Sequence, residues 1–366
     1  MISNGFFEKI IHFSECCIFR GVNSSIVIFK YVKKSQKTDK PISIVRINSR
    51  INIDEEFISN LCIDENAFAE VFEIPQFELD KRWVLANSTV VEEIKKLEDS
   101  CGNTTLEKIC EIGNGMVSGL DKAFIVKQPK MLNDYEKGLT IDVVKGKDTD
   151  AYFYKAITSY CFIPEGELSE EELKDKCPHF FDQFQRFKDE LENRYQYGRH
   201  IDYWSWVFPR NYKMLSQNVD KIFVPCKERI SNKDHFRFVL VEAGIFSTQD
   251  VTALYKKTTV KESLEYILAF LNCPQVFMWV KNKGIVKGNI VEFSEAPLNR
   301  IPFRLIDWNN PKEVEIHDNI TSTVQSMRNS CGGSESMESS VDQINSMLQV
   351  LLSMNKHSKK YDQTRL

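Results

Sequence analysis

Residues 25–31, SIVIFKY, and 42–47, ISIVRI, constrain this chain more than any other stretch. Both are rich in β-branched residues, which favour extended backbone. SIVIF has no polar position in alternation, so a strand built from it expects cover on both faces. Phe7 to Phe13 is a third apolar β segment. Three such segments in the first fifty residues cannot bury one another; later parts of the chain, or another protein, must cover them. Between the two stronger runs, VKKSQKTDK reads as a polar turn joining hairpin strands.

Beyond residue 50 the pattern changes. Asp54 to Leu79 is acidic and irregular and reads as a linker. Thr89 to Asp99 spaces Val90, Val91, Ile94 and Leu97 as one helical face. Cys110 to Val126, CEIGNGMVSGLDKAFIV, reads as a strand, a loop carrying Gly113, Gly115 and Gly119, and a second strand over Ala123 to Val126. Ser169 to Asn193 opens with the capping pattern S-E-E-E and predicts one long helix with Phe180, Phe181, Phe184 and Phe187 along one side. Strands follow at Lys221 to Pro225, Phe236 to Val241 and Thr252 to Tyr255, then a buried helix from Ser263 to Leu271. Two amphipathic helices, Glu313 to Met327 and Val341 to Met354, flank a break at SCGGS (Ser330 to Ser334). The stripe Ile344, Met347, Leu348, Leu351 and Leu352 suits docking on this chain or on a partner helix, and both stay open.

Several function classes are excluded as expectations. No apolar run approaches the length of a membrane span, and Glu8, Lys9 and His12 interrupt the apolar N-terminus, so neither a membrane nor a secretory destination is expected and the cytoplasm is. Ten cysteines include no C-x-x-C pair, which argues for reduced, packed thiols and against a metal site. The six histidines fall in no H-E-x-x-H pattern, and no G-x-S-x-G elbow is present. The glycine spacing G-x-G-x-x-x-G is one residue too long for a dinucleotide fingerprint, and the strand expected after it is not the helix N-terminus that a phosphate needs. No G-K-S or G-K-T occurs.

Net charge is −4, which counts against a general nucleic-acid binder. The distribution is uneven, however, and basic residues outnumber acidic ones from Arg194 to Arg300. Arg194 to Arg237 interleaves cations with Tyr195, Tyr197, Tyr203, Trp204, Trp206, Phe208 and Tyr212. Cations neutralise phosphates and aromatic faces stack on bases, so this composition suits DNA. The same residues also suit an aromatic core beneath solvated cations.

Eight blocks in order add to this reading: IFRGVNSSIVIFKY, RWVLAN, IGNGMVSGLDKAFIV, LENRYQYGRHIDYWSW, KIFVPCKERI, FSTQDVTALY, LEYILAFLNCPQVFMW and GNIVEFSEAPLNRIPF. Together they cover most of residues 10 to 305, and their order resembles the C-terminal half of bacterial adenine-N6 DNA methyltransferases with a TaqI-like specificity domain. The resemblance implies that the first block closes a catalytic sheet and the later blocks form a target-recognition domain. In that family S-adenosylmethionine lies in a Rossmann-like pocket, and an N/D-P-P-Y/F loop holds a flipped adenine. This chain departs from the pattern: its eleven prolines are never adjacent, so that loop is missing, and fifty residues are too few for a cofactor fold.

The expected fold is therefore mixed α/β. Residues 1–50 are the last strands of a class I methyltransferase sheet, 51–80 an acidic linker, 81–310 an α+β target-recognition domain and 311–366 a helical tail. The expected partners are double-stranded DNA and a catalytic methyltransferase subunit meeting residues 7–47, with S-adenosylmethionine on that subunit and not on this chain. Expected DNA contacts are Lys122, Arg194, Trp204, Trp206, Arg210, Lys213, Lys227, Arg229, Lys233, Lys283 and Lys287. The competing expectations are a protein–protein interaction module without a DNA role and an inactive remnant of a split gene.

Overall fold

The computed structural model describes residues 4–13, 26–33, 38–47, 69–79, 82–329 and 334–354. Strands β1 (Gly5–Phe13), β2 (Ile26–Lys33), β3 (Ile42–Ile47) and β4 (Ala69–Ile74) form one sheet in the order β2-β1-β3-β4. β2 runs antiparallel to β1, β3 parallel to β1, and β4 antiparallel to β3. Two expectations are corrected here. β2 and β3 do not form a hairpin, because β1 lies between them; residues 34–37 of the turn assigned to join them lie outside the described residues. Part of the acidic linker is also a strand: in β4, Val71, Phe72 and Ile74 pack on the sheet while Glu70 and Glu73 had masked the signal.

This sheet is thinly covered. Ile42, Ile44, Val45 and Ile47 of β3 are buried, but each face carries only a small apolar cluster. At its edge β2 leaves Val27, Ile28 and Phe29 43%, 54% and 47% exposed. The burial expected for SIVIF is not met within the described residues, since β1 pairs with one edge of β2 and no layer covers its faces. The sheet joins the rest through Asn87, whose side chain donates to Glu70 Oε1 (2.7 Å) and also caps α1 (Ser88–Cys101).

The body is organised around a second sheet. It contains β5 (Cys110–Asn114), β8 (Lys221–Pro225), β10 (Val239–Val241) and β12 (Val251–Lys256) in the order β10-β8-β12-β5. Side chains alternate across it with period two. Ile222, Val224, Leu240 and Leu254 enter one core; Phe223, Val239, Val241, Ala253 and Tyr255 enter another. Both faces are covered, so KIFVP is buried at every position.

The first core is closed by α1 and by four later helices: α6 (Leu264–Asn272), α7 (Pro274–Lys283), α8 (Pro311–Asn329) and α9 (Ser334–Ser353). Ser263 caps α6, accepting from Tyr266 N, as its position before the apolar run predicts. The tail stripe docks on this chain: Ile344, Leu348 and Leu351 are fully buried, with Met347 and Leu352 beside them. The tail thus belongs to the body's core. An ion pair fixes α8, for Arg304 Nη2 reaches Glu313 Oε1 at 2.8 Å with both side chains buried. The SCGGS break lies largely outside the described residues.

The second core carries a small sheet of β6 (Thr140–Val144), β7 (Thr158–Cys161) and β11 (Ile245–Ser247), in the order β11-β6-β7. It also carries α3 (Glu170–Lys176), α4 (Pro178–Gln185) and α5 (Lys188–Glu192). These three replace the single helix expected from Ser169. The capping box of Ser169 with Glu172 is present, but Cys177 leaves helical geometry and Pro178 starts a new helix. Phe180 and Phe184 are buried in this core. A second small sheet joins β9 (Lys227–Arg229), β13 (Val286–Lys287) and β14 (Ile290–Glu292), with β14 in the middle. The expected strand Phe236 to Val241 shortens to β10, since Phe238 N pairs with the Asn272 side chain instead.

Candidate nucleic-acid interface

The glycine segment starts in β5, with Gly113 opposite Ala253 on β12. The chain then crosses the end of the central sheet. Met116 N donates to Ser247 O at 3.0 Å, and Val117 and Phe208 exchange both backbone bonds. The glycines permit close packing: a Cβ at Gly115 would collide with the Thr248 carbonyl, and Gly119 has φ +85° beside Arg194 and Val207. Ala123 to Val126 is not a strand. Asp121–Phe124 forms one helical turn, α2, and Ile125 makes a single bridge to Tyr160. Ser118 donates to the Asp121 carboxylate and closes that turn against the β preference of AFIV. The expected strand therefore falls as an argument against nucleotide binding, while the glycine spacing still departs from the fingerprint.

A half-buried charge network holds this end together. Lys145 Nζ lies 2.6 Å from Asp121 Oδ2 and 2.9 Å from Asp250 Oδ1, and Asp250 Oδ2 accepts from Gly146 N. Burial opposes charge on Lys145, but the two carboxylates outweigh it and its pKa is raised. Partial burial opposes charge on the Asp250 carboxyl too, but Lys145 and the hydrogen bonds from Thr248 and Gly146 N outweigh it and its pKa is lowered.

Next to this network lies a cavity of about 540 Å³ with Lys147, Arg210, Lys227 and Arg237 on its walls and, among the described residues, Asp250 as the one lining carboxylate. Arg210 is aimed by the glycine segment, its Nε donating to Gly115 O at 2.8 Å. Arg237 is held by Glu228 Oε1 (2.8 Å) and by the carbonyls of Gly146 and Thr149. Lys147 and Lys227 are exposed and make no ion pair among the described residues. Alternation in β9 turns Lys227 and Arg229 outward and buries Glu228. Asp250 is engaged by Lys145, so the cleft presents net positive charge to an anion.

The eleven expected contacts divide sharply. Arg210 and Lys227 line the cleft; Arg229 is exposed on the same strand as Lys227, and Lys213 is exposed beyond Arg210. Four lysines face carboxylates of this chain: Lys122 with Glu190 (2.7 Å), Lys233 with Glu228 (2.9 Å), Lys283 with Glu98 (2.6 Å) and Lys287 with Glu292 (3.2 Å). Three assignments are corrected. Trp206 is 1% exposed and donates to Cys161 O, and Trp204 is buried beside Tyr203, so neither ring is open to a base. Arg194 turns inward and donates to the carbonyls of Ser118, Asp202 and Ser205; burial alone lowers its pKa to about 10. Lys147 and Arg237 were not singled out from sequence. The signal for Lys147 was the KGK of Lys145 to Lys147, where cations flank a glycine.

No family model matches the sequence. The chain is 46% identical over 342 residues, 89% of its length, to the type II methyltransferase M.HindII of Haemophilus influenzae. It is 45% identical over 328 residues, again 89% of its length, to the type II methyltransferase M.HincII of the same species. It spans 64% and 62% of those proteins, a little under two thirds of each. Among solved structures it is similar to the type IIL restriction-modification enzyme MmeI in complex with DNA, with a TM-score of 0.59, 12% identity, and coverage of 95% of this chain and 43% of that one. The last likeness is one of fold.

Proposed function

With type II methyltransferases as its relatives, we propose that this chain is the DNA-recognising part of an adenine-N6 DNA methyltransferase of a restriction–modification system. The observation that carries the proposal is the cleft of Lys147, Arg210, Lys227 and Arg237 at the end of the central sheet. Its two lysines are mobile point charges suited to phosphate oxygens. Its two arginines are held through Nε or Nη1 by groups of this chain, and a pre-oriented guanidinium is suited to a guanine edge in the major groove. Lysines on this face position the duplex, and arginines read it.

Chemistry is assigned to a separate catalytic part. Among the described residues, no strand of the N-terminal sheet passes through a glycine-rich turn into a helix of the kind that holds a nucleoside cofactor. The exposed apolar edge of β2, at the end of the sheet among the described residues, supports a catalytic polypeptide as partner: a strand added there would extend the sheet and cover Val27, Ile28 and Phe29.

The test is binding to a short labelled duplex as salt is varied. Binding that steepens as salt falls is the expected result. Replacing both lysines, Lys147→Ala with Lys227→Ala, is expected to reduce the slope of log K against log salt by about 2. Absence of binding at low salt, alone and with a catalytic partner present, would sink the proposal and favour a protein–protein module.

A further inference from the structure

We propose that Tyr195, Tyr197 and Phe208 form a stacking platform for a nucleobase displaced from the duplex. This rests on the DNA-recognition reading and extends it to a second kind of contact. The three rings are 75%, 46% and 39% exposed, whereas Tyr203, Trp204 and Trp206 of the same segment are buried. They form a continuous cluster: Tyr195 and Tyr197 meet edge to face at 4.8 Å, and Tyr197 and Phe208 lie 5.4 Å apart.

The exposure is built in. Arg194 ties the segment to the carbonyls of Ser118, Asp202 and Ser205, Arg199 Nη2 donates to Val207 O at 2.8 Å, and Gln196 Oε1 accepts from Ile201 N at 3.0 Å. Tyr197 itself has φ +56°, a left-handed conformation unfavourable for a residue with a Cβ, and such strain persists where the surroundings impose it. The framework thus holds a strained tyrosine outward. Rings fixed in this way lose little freedom on binding.

The occupant follows from position and chemistry. Arg210 lies 6.0 Å over the Phe208 ring and also lines the cationic cleft, so cleft and platform are one surface. An anionic polymer in the cleft brings its bases to the platform. Bases inside an intact duplex already have both faces stacked; only an unstacked base offers one to an aromatic ring.

The test compares the full chain on two labelled duplexes that differ by one extruded base, a single-nucleotide bulge. The wild type is expected to favour the bulged duplex about tenfold, the usual size of one base–aromatic stack. Tyr195→Ala with Tyr197→Ala should abolish that preference while leaving binding to the paired duplex and its salt slope unchanged. Tyr195→Phe with Tyr197→Phe should retain it, because the rings remain. Tyr195→Ala alone, at a position without left-handed backbone, should give an intermediate loss with unchanged melting. Equal binding of both duplexes by the wild type, or a bulge preference that survives the double alanine variant, overturns the platform and leaves the cationic cleft standing. Failure of the wild type to bind either duplex at low salt overturns the DNA reading itself, and the platform with it.

Discussion

β2 and β8 are made of nearly the same residues, IVIF in one and KIFVP in the other, and they end in opposite environments. β8 sits between two neighbouring strands and two cores, and every residue in it is buried. Among the described residues β2 has one neighbouring strand and leaves Val27, Ile28 and Phe29 about half exposed. Apolar sequence therefore sets the demand for cover, and the surrounding layers decide whether this chain supplies it. The body meets its own demand. Among the described residues, the N-terminal sheet leaves an apolar edge open.

The comparison is broken most directly by matched phenylalanines. Phe223→Ala in β8 should lower stability by about 4 kcal/mol, read as a fall in the denaturation midpoint, because the cavity opens between packed layers. A loss below about 1 kcal/mol there would mean that the two-core reading of the central sheet is wrong.

A smaller effect should come from pH. His12 on β1 has its pKa lowered to about 4, first by burial and then by Arg46, its cross-strand neighbour. The folded state keeps this ring neutral while the unfolded chain protonates near its ordinary pKa of 6.5. Stability is thus intact above pH 6.5, falls as pH drops from 6.5 to 4, and levels off below that. The loss should reach up to about 3 kcal/mol, and His12→Gln should flatten this window in a pH series of denaturation curves.

The smallest change in stability is expected at the exposed edge. Phe29→Ala in β2 should cost about 1–2 kcal/mol, less than Phe223→Ala, since about half of this side chain stays in water and its ring packs only on the edge of Phe7. Ile28→Glu should behave alike in the isolated chain yet weaken capture of the proposed catalytic partner, measured by co-purification. If instead Phe29→Ala destabilises as much as Phe223→Ala, the contrast between the two regions fails.

Much of the fold was legible from local pattern. Ser169 and Ser263 mark helix starts through caps that depend on neighbours within four residues, and both caps are present. The tail stripe was legible as a stripe, while its docking on this chain needed the first core to be known. Strand pairing was not legible: a register linking β1 to β3 in parallel joins residues far apart in sequence, and VKKSQKTDK carries hairpin chemistry whether or not a hairpin forms.

The candidate site divides along the same line. Composition picked out the segment from Arg194 to Arg237, and both the cleft and the platform draw on it. It did not separate inward from outward residues, because Arg194 and Arg210, or Trp206 and Tyr197, are chemically equivalent until their neighbours are known. Sequence alone determined where extended and helical backbone is favoured, the even spread of apolar demand, and the relationship to type II methyltransferases. Tertiary structure decided which cations spend their hydrogen bonds on carbonyls and carboxylates of this chain, which rings are covered, and which strand is left at an edge. Those outcomes depend on contacts between distant residues, and only the folded chain brings such residues together.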